Sequence, residues 1–398
     1  MSTEDSSLES SSPRWLTAPL WLAGFRPFFT LAFVSGALLP LIWGLVFAGQ
    51  WPLPASALPP LVWHAHEMFY GFGWAVLGGF LLTASKNWVG VRGIHGAPLA
   101  LATLLWLVER VAILWGGALP LPVRLIVLNG SVLFVGGYVF VTLVRFRRQD
   151  SFRDNGFFLV ALPLFLAAKS LLLNVETFAT GTAMTLGLFR VAFVVMLERT
   201  MPQFMKNAMQ VTLVRNRLLD GAIKVLALLC VFQASLPPLF AAALLALLGG
   251  LLLTRLVLWH PLVGLRTFGI GIMYVGSLGL IAHLFLEAAR VSGALVPIGA
   301  VSLHTFTFLC MGIIIPGMLI RICQGHTGRK LLFTKSDRVA LGVLAAGAFC
   351  RLVATQLWPV HYQRWIALSA MAWAICFLVI GVRLVPFLFQ PRVDGRVH

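Results

Sequence analysis

Residues 268–290 read FGIGIMYVGSLGLIAHLFLEAAR. A helix needs about 20 apolar residues to cross the hydrocarbon core of a bilayer, and this run supplies them. It also carries His283 and Glu287, one helical turn apart and on one face. Both facts extend to the rest of the chain. Long apolar runs recur along it, and a few of them hold residues that a membrane interior tolerates only at a cost. The chain has 398 residues, 59% hydrophobic and 11% charged, with a mean hydropathy of +0.92. Soluble domains carry about 25% charged residues. Composition therefore excludes a soluble enzyme, a disordered chain and a secreted disulfide scaffold.

The same ruler predicts an all-α polytopic membrane protein with about twelve transmembrane helices. They are expected near 25–49, 64–86, 96–116, 121–144, 157–178, 182–203, 217–235, 237–258, 268–290, 296–321, 338–357 and 365–389. The gaps carry Pro, Gly or charge, and Pro237-Pro238 splits one long apolar run into a tight hairpin. The organisation read from this is a tail over 1–24 with an acidic, Ser-rich and disordered start, one membrane domain over 25–390, and a C-terminal tail over 391–398. The N-terminal stretch has neither a basic region nor a small-residue cleavage site, so no cleaved leader is expected.

The net charge of +17 would suggest nucleic acid in a soluble protein. Sorted by span, 22 of the 30 Lys and Arg fall in alternate connections and the span ends beside them, and only Arg124, Arg290 and Arg364 fall on the other side. That is the positive-inside pattern, with both termini cytoplasmic in a bacterial inner membrane. The charge is thus a topology signal with the lipid bilayer as partner, and no nucleic acid is expected. A faint threefold repeat of four spans links Phe80-Leu81-Leu82-Thr83, Met196-Leu197-Glu198-Arg199 and Met318-Leu319-Ile320-Arg321. The five cysteines form no C-x-x-C pair and no C-x-x-C-H, which excludes covalent c-type haem and reads as small apolar packing.

Histidines fall unevenly across the predicted topology. His64, His66 and Glu67 stand at the outer end of the second span. His283 lies roughly 10 Å inside the outer edge of the ninth, and His304 at a similar depth in the tenth. Glu109, Arg110, Lys169, Arg190, Arg351 and Glu287 share that middle-to-outer region. Neutral imidazole ligates haem iron, copper and non-haem iron. His64, His66, His283 and His304 are therefore candidate ligands of a haem b or of a second metal, copper or non-haem iron. Arg110, Lys169, Arg190 and Arg351 are candidate partners of haem propionates, and Glu67, Glu109 and Glu287 candidate proton carriers. His64 and His66 point about 200° apart on a regular helix, so they face different partners unless the Pro59-Pro60 pair makes the segment irregular. His64 and Glu67 are expected to share a face. The same residues suit interhelical hydrogen bonds, an interfacial aromatic belt around Trp63, or a proton-coupled secondary transporter of an anion or metal complex. His260 and His361 read as tolerated loop residues.

Several stretches resemble the NnrS family of bacterial inner-membrane proteins. They are Gly24-Phe25-Arg26-Pro27-Phe28-Phe29, Trp63-His64-Ala65-His66-Glu67-Met68, Gly78-Gly79-Phe80-Leu81-Leu82-Thr83-Ala84 with Asn87-Trp88, Pro202-Gln203-Phe204 with Lys206-Asn207-Ala208, and His304 through Met311-Gly312 to Gly325-His326-Thr327-Gly328-Arg329. The departures, Met205-Lys206 and Ser85-Lys86, fall in predicted inner loops. The resemblance implies a haem- and copper-containing protein of twelve spans linked to denitrification and to defence against nitric oxide. It carries the ligand role onto His64, His66, His283 and His304. Two activities follow from it. One is reduction of nitric oxide to nitrous oxide with quinol-derived electrons; the other is a haem sensor or buffer that binds nitric oxide without turnover. His326 and Arg329 lie on the cytoplasmic side of the predicted topology, roughly 30 Å from the other histidines. They form a separate element, for a second haem, a quinone or loop capping.

Overall fold

A computed structural model describes residues 14–54, 58–152 and 155–396. The acidic, Ser-rich start, Arg153 and His398 lie outside the described residues. Among the described residues there is no strand, and 81% of the chain is helical. Twelve helices are long and apolar enough to cross a membrane: α1 Phe25–Phe47, α2 Pro60–Val89, α3 Gly96–Trp115, α4 Leu121–Arg145, α5 Gly156–Leu173, α6 Phe178–Met209, α7 Arg217–Ser235, α8 Pro238–Leu258, α9 Phe268–Val291, α10 Val301–Gly325, α11 Lys335–Leu357 and α12 Pro359–Leu388. The chain is a multi-pass membrane protein, as its spacing predicts.

Local chemistry sets the helix ends. Pro60, Pro238 and Pro359 open their helices, where a missing N–H costs nothing. Asn216 caps α7 by accepting from the Leu218 and Leu219 amides at 3.0 and 3.1 Å. Thr334 and Asp337 form a reciprocal capping box on α11, and Asp337 also accepts two hydrogen bonds from Arg383 of α12. α2 ends on Gly90, whose φ of +68° suits a residue without Cβ.

Several boundaries differ from expectation by four to six residues, and one of them moves a site residue. α5 stops at Leu173, so Asn174 and Glu176 lie in the connection, where the Asn174 side chain accepts from the Glu176 amide. α10 starts at Val301 rather than near 296, because Pro297 and Gly299 (φ +66°) fall in an irregular approach. His304 therefore sits in the first turn of α10 rather than deep within it.

α2, α6 and α10 are 78, 72 and 78% buried, against 33–44% for seven of the other nine helices. They form the centre of the bundle, and their four-span spacing matches the faint repeat. α1 packs on α12, α12 on α11, α8 on α9, and α5 on α6. The basic connections gather at one end. There Arg26 donates to the Leu388 and Gln390 carbonyls at 2.8 Å each. Glu198 of α6 pairs with Arg215 and with Lys224 of α7. At the opposite, charge-poor end Phe47 meets Tyr362 with ring centroids 6.1 Å apart.

Candidate functional site

α2, α10 and α11 share a local irregularity. Each widens into a π-helical stretch, over Glu67–Gly73, Thr305–Met311 and Cys350–Ala354. The stretches begin directly after His66 and His304, and the third contains Arg351. Such widenings concentrate at functional sites because the extra residue re-aims the side chains around it. Residues of all three helices line a single cavity of about 380 Å³ in the charge-poor half of the bundle.

Two imidazoles line this cavity. His64 of α2 stacks on Trp43 of α1, with centroids 4.1 Å apart and planes 11° from parallel. His304 of α10 directs Nδ1 at the Ala300 carbonyl, 2.8 Å away. That carbonyl can only accept, so Nδ1 carries the proton and Nε2 presents its lone pair. Arg351 of α11 donates to that lone pair at 2.9 Å. Trp373, Phe72 and Phe308 give the cavity aromatic walls, and Met68 and Met311 add thioethers. Arg290, Glu287 and Ser302 complete the wall. Glu287 accepts from Ser302 Oγ (2.5 Å), from Arg290 (2.7 and 2.9 Å) and from Gln233 (2.9 Å).

His283 stands behind this wall. Its Nδ1 meets the Ser302 carbonyl at 2.8 Å, and its Nε2 is buried with no hydrogen-bond partner among the described residues. Arg190, expected as a propionate partner, donates instead to Gln233 (2.7 Å) and to the Cys230 carbonyl (3.2 Å), bracing α6 against α7.

His66 does not join the cavity residues. As the 200° separation predicts, it faces away from His64, towards α3 and α5. Its Nδ1 is 3.0 Å from Glu67 Oε1 and its Nε2 3.1 Å from Glu109 Oε1. Arg110 reaches Glu67 at 3.3 Å and Glu109 at 2.6 Å, and Lys169 pairs with Glu109. Two carboxylates and two cations thus neutralise one another around a buried imidazole, as buried charge requires. Glu67 belongs to this network rather than to a shared face with His64, its Oε1 held between His66 and Arg110. Glu109, Arg110 and Lys169 are likewise committed to it. Of the four expected propionate partners only Arg351 lines the cavity.

His326 and Arg329 sit at the basic end and do not line the cavity. Of the roles open to them, the contacts match loop capping. Thr327 Oγ donates to the Cys323 carbonyl at 2.6 Å and the Thr327 carbonyl accepts from the Val393 amide at 3.1 Å. Arg392 donates to the His326 carbonyl at 3.0 Å, and Arg329 to the Gln390 side chain at 2.6 Å. The C-terminal tail is thereby clasped to the end of α10. His326 packs on Phe25, and burial together with Lys86 and Arg392 holds its pKa down to about 4.

Among the described residues no three His, Cys, Asp or Glu side chains converge as a metal site. A haem needs only one or two imidazoles, and the cavity residues fit that requirement. A closed second site for copper or non-haem iron is not matched: His66 lies between two carboxylates, and His283 presents one nitrogen. Nothing in the sequence singles out Trp43, Ser302 or the cavity role of Arg290. In the sequence Arg290 stands out only as a loop charge, and the other two carry no motif.

Twelve candidate spans around an imidazole-lined cavity define a polytopic helical membrane protein. The family description NnrS protein matches residues 19–392, nearly the whole chain, and the protein belongs to the NnrS family. That membership is consistent with a nitric-oxide-related haem or metal membrane protein. No curated protein and no solved structure matches the chain.

Proposed function

We propose that the protein binds a haem b in the cavity between α2, α10 and α11 and captures nitric oxide there, within the bacterial cytoplasmic membrane and with its basic end in the cytoplasm. The observation that carries this reading is the state of His304. Its Nδ1–H is fixed on the Ala300 carbonyl and its Nε2 lone pair is turned to a guanidinium. A metal-ligating histidine typically donates its second ring N–H in this way. His304 would hold the iron, and Arg351 would leave Nε2 for a propionate, which its planar fork suits. His64, stacked on Trp43, is the second imidazole of the wall. When bound, ferrous haem supplies an iron that takes nitric oxide as a ligand. The surrounding aromatic and thioether side chains exclude water and admit a small uncharged gas from the bilayer.

A finer reading is reduction of two nitric oxide molecules to nitrous oxide and water, with two electrons from quinol and two protons. The presence of Glu287 in the cavity wall, hydrogen-bonded to Ser302 and Arg290, favours it, since a carboxylate there can pass a proton inward. Anaerobic nitric oxide consumption by the purified protein with a quinol donor separates the two readings. Sustained turnover that falls in Glu287→Gln supports reduction, stoichiometric uptake supports capture, and a colourless protein with neither refutes both in favour of transport.

A further inference from the structure

A second cavity of about 60 Å³ lies along the same three central helices. Gly73 and Val76 of α2, Phe189 and Ala192 of α6, and Ile314 and Met318 of α10 form its wall. These positions come just after Phe72, Leu186 and Met311, which line the first cavity. The two cavities therefore follow one another along the axis of the bundle, the second towards the basic end. Among its described lining residues Arg199 alone is charged. The Arg199 guanidinium is spread over the rings of Trp88, Phe152 and Phe158, at 5.0, 4.7 and 5.6 Å from their centroids.

Size and polarity together select the guest. A buried water requires two to four polar partners, which a wall of hydrocarbon and aromatic edges with the one guanidinium spread over three rings does not supply. A single water fits into about 10–15 Å³, and a cavity that takes benzene measures about 150 Å³. The second cavity falls between these, with room for one or two diatomic molecules or one xenon atom. We infer that it holds small uncharged gas molecules beside the imidazole-lined cavity. It keeps a gas that leaves the first cavity within a helical turn or two of it, so that recapture competes with escape into the lipid. Nitric oxide as the natural guest rests on the function proposed above; affinity for xenon does not.

Xenon titration of the full-length protein in detergent, read by methyl NMR of labelled Ile and Met, tests this. The expected result is saturable shifts at Ile314, Ile315 and Met318 that vanish in Ala192→Phe, whose ring fills the space. Val76→Phe serves as a second filler should the first fail to fold. Shifts that grow linearly with xenon pressure, or that persist in both folded fillers, overturn the inference. So does a detergent or lipid chain found in the cavity by contacts to these methyls. In the haem-loaded protein, flash photolysis of bound carbon monoxide adds a second readout, with a smaller geminate rebinding fraction in the fillers. A haem-free preparation removes that readout and refutes the proposed function, while the xenon titration still decides the cavity.

Discussion

Lys169→Met and Glu109→Gln test whether the network around His66 is a neutral, buried unit. Glu109 and Lys169 are fully buried and paired, and Glu67 with Arg110 completes two negative and two positive charges around the imidazole. Each single change leaves one uncompensated charge: Lys169→Met a net negative, Glu109→Gln a net positive. Breaking a buried pair from one side costs about 3–5 kcal/mol, so each variant is expected to lose that much. The double variant restores neutrality. It should be more stable than either single variant would suggest by addition, with a coupling of about 2–3 kcal/mol, at the upper end for groups in one network. Equilibrium unfolding of the four proteins in mixed micelles gives the cycle directly. Single variants within about 1 kcal/mol of the parent, or a double variant with purely additive losses, would refute the reasoning.

Two further outcomes follow from the basic end. His326 stays neutral in the folded protein because its pKa is held near 4, below the ordinary value of 6.5. The unfolded chain therefore takes up the extra proton between these values. Its contribution to stability is complete above pH 6.5 and shrinks as the pH falls towards 4. Melting curves of the parent and of His326→Gln should diverge only in that window. Asp337→Asn removes the carboxylate that caps α11 and holds Arg383 (2.7 and 3.1 Å). A loss of about 1.5–3 kcal/mol, the range for hydrogen bonds to charged groups, is expected in the same unfolding assay. Arg383→Met in the Asp337→Asn background should recover part of it.

Much of the architecture is legible because a bilayer imposes a coarse rule. Runs of about 20 apolar residues broken by Pro, Gly or charge become helices of membrane-crossing length, and all twelve do. The positions of polar residues along the membrane normal follow from the same count, which is why His64, His283 and His304 fall in one half of the bundle. What that count lacks is direction around each helix. His66 lies two residues from His64 and turns to another network. Glu67, three residues from His64, also leaves its face for His66 and Arg110, and the π-helical stretch that begins there re-aims the side chains after it by roughly 100°. No residue pattern in Glu67–Gly73 or Thr305–Met311 announces that widening. The depth of His304 differs from expectation for a simpler reason: Val296 is apolar enough to extend a hydropathy window, but Pro297 and Gly299 delay the helix to Val301. Arg351 illustrates the converse. Its span and depth were readable, and only tertiary packing brings its guanidinium to the His304 lone pair.

The optical spectrum and haem content of the purified protein, with and without nitric oxide, in the parent, His304→Ala and His66→Gln, test the central claim most directly. The account predicts a Soret band that shifts on adding nitric oxide, is lost or strongly displaced in His304→Ala, and survives in folded His66→Gln. A colourless parent, or a band that survives His304→Ala and disappears with His66→Gln, would contradict it.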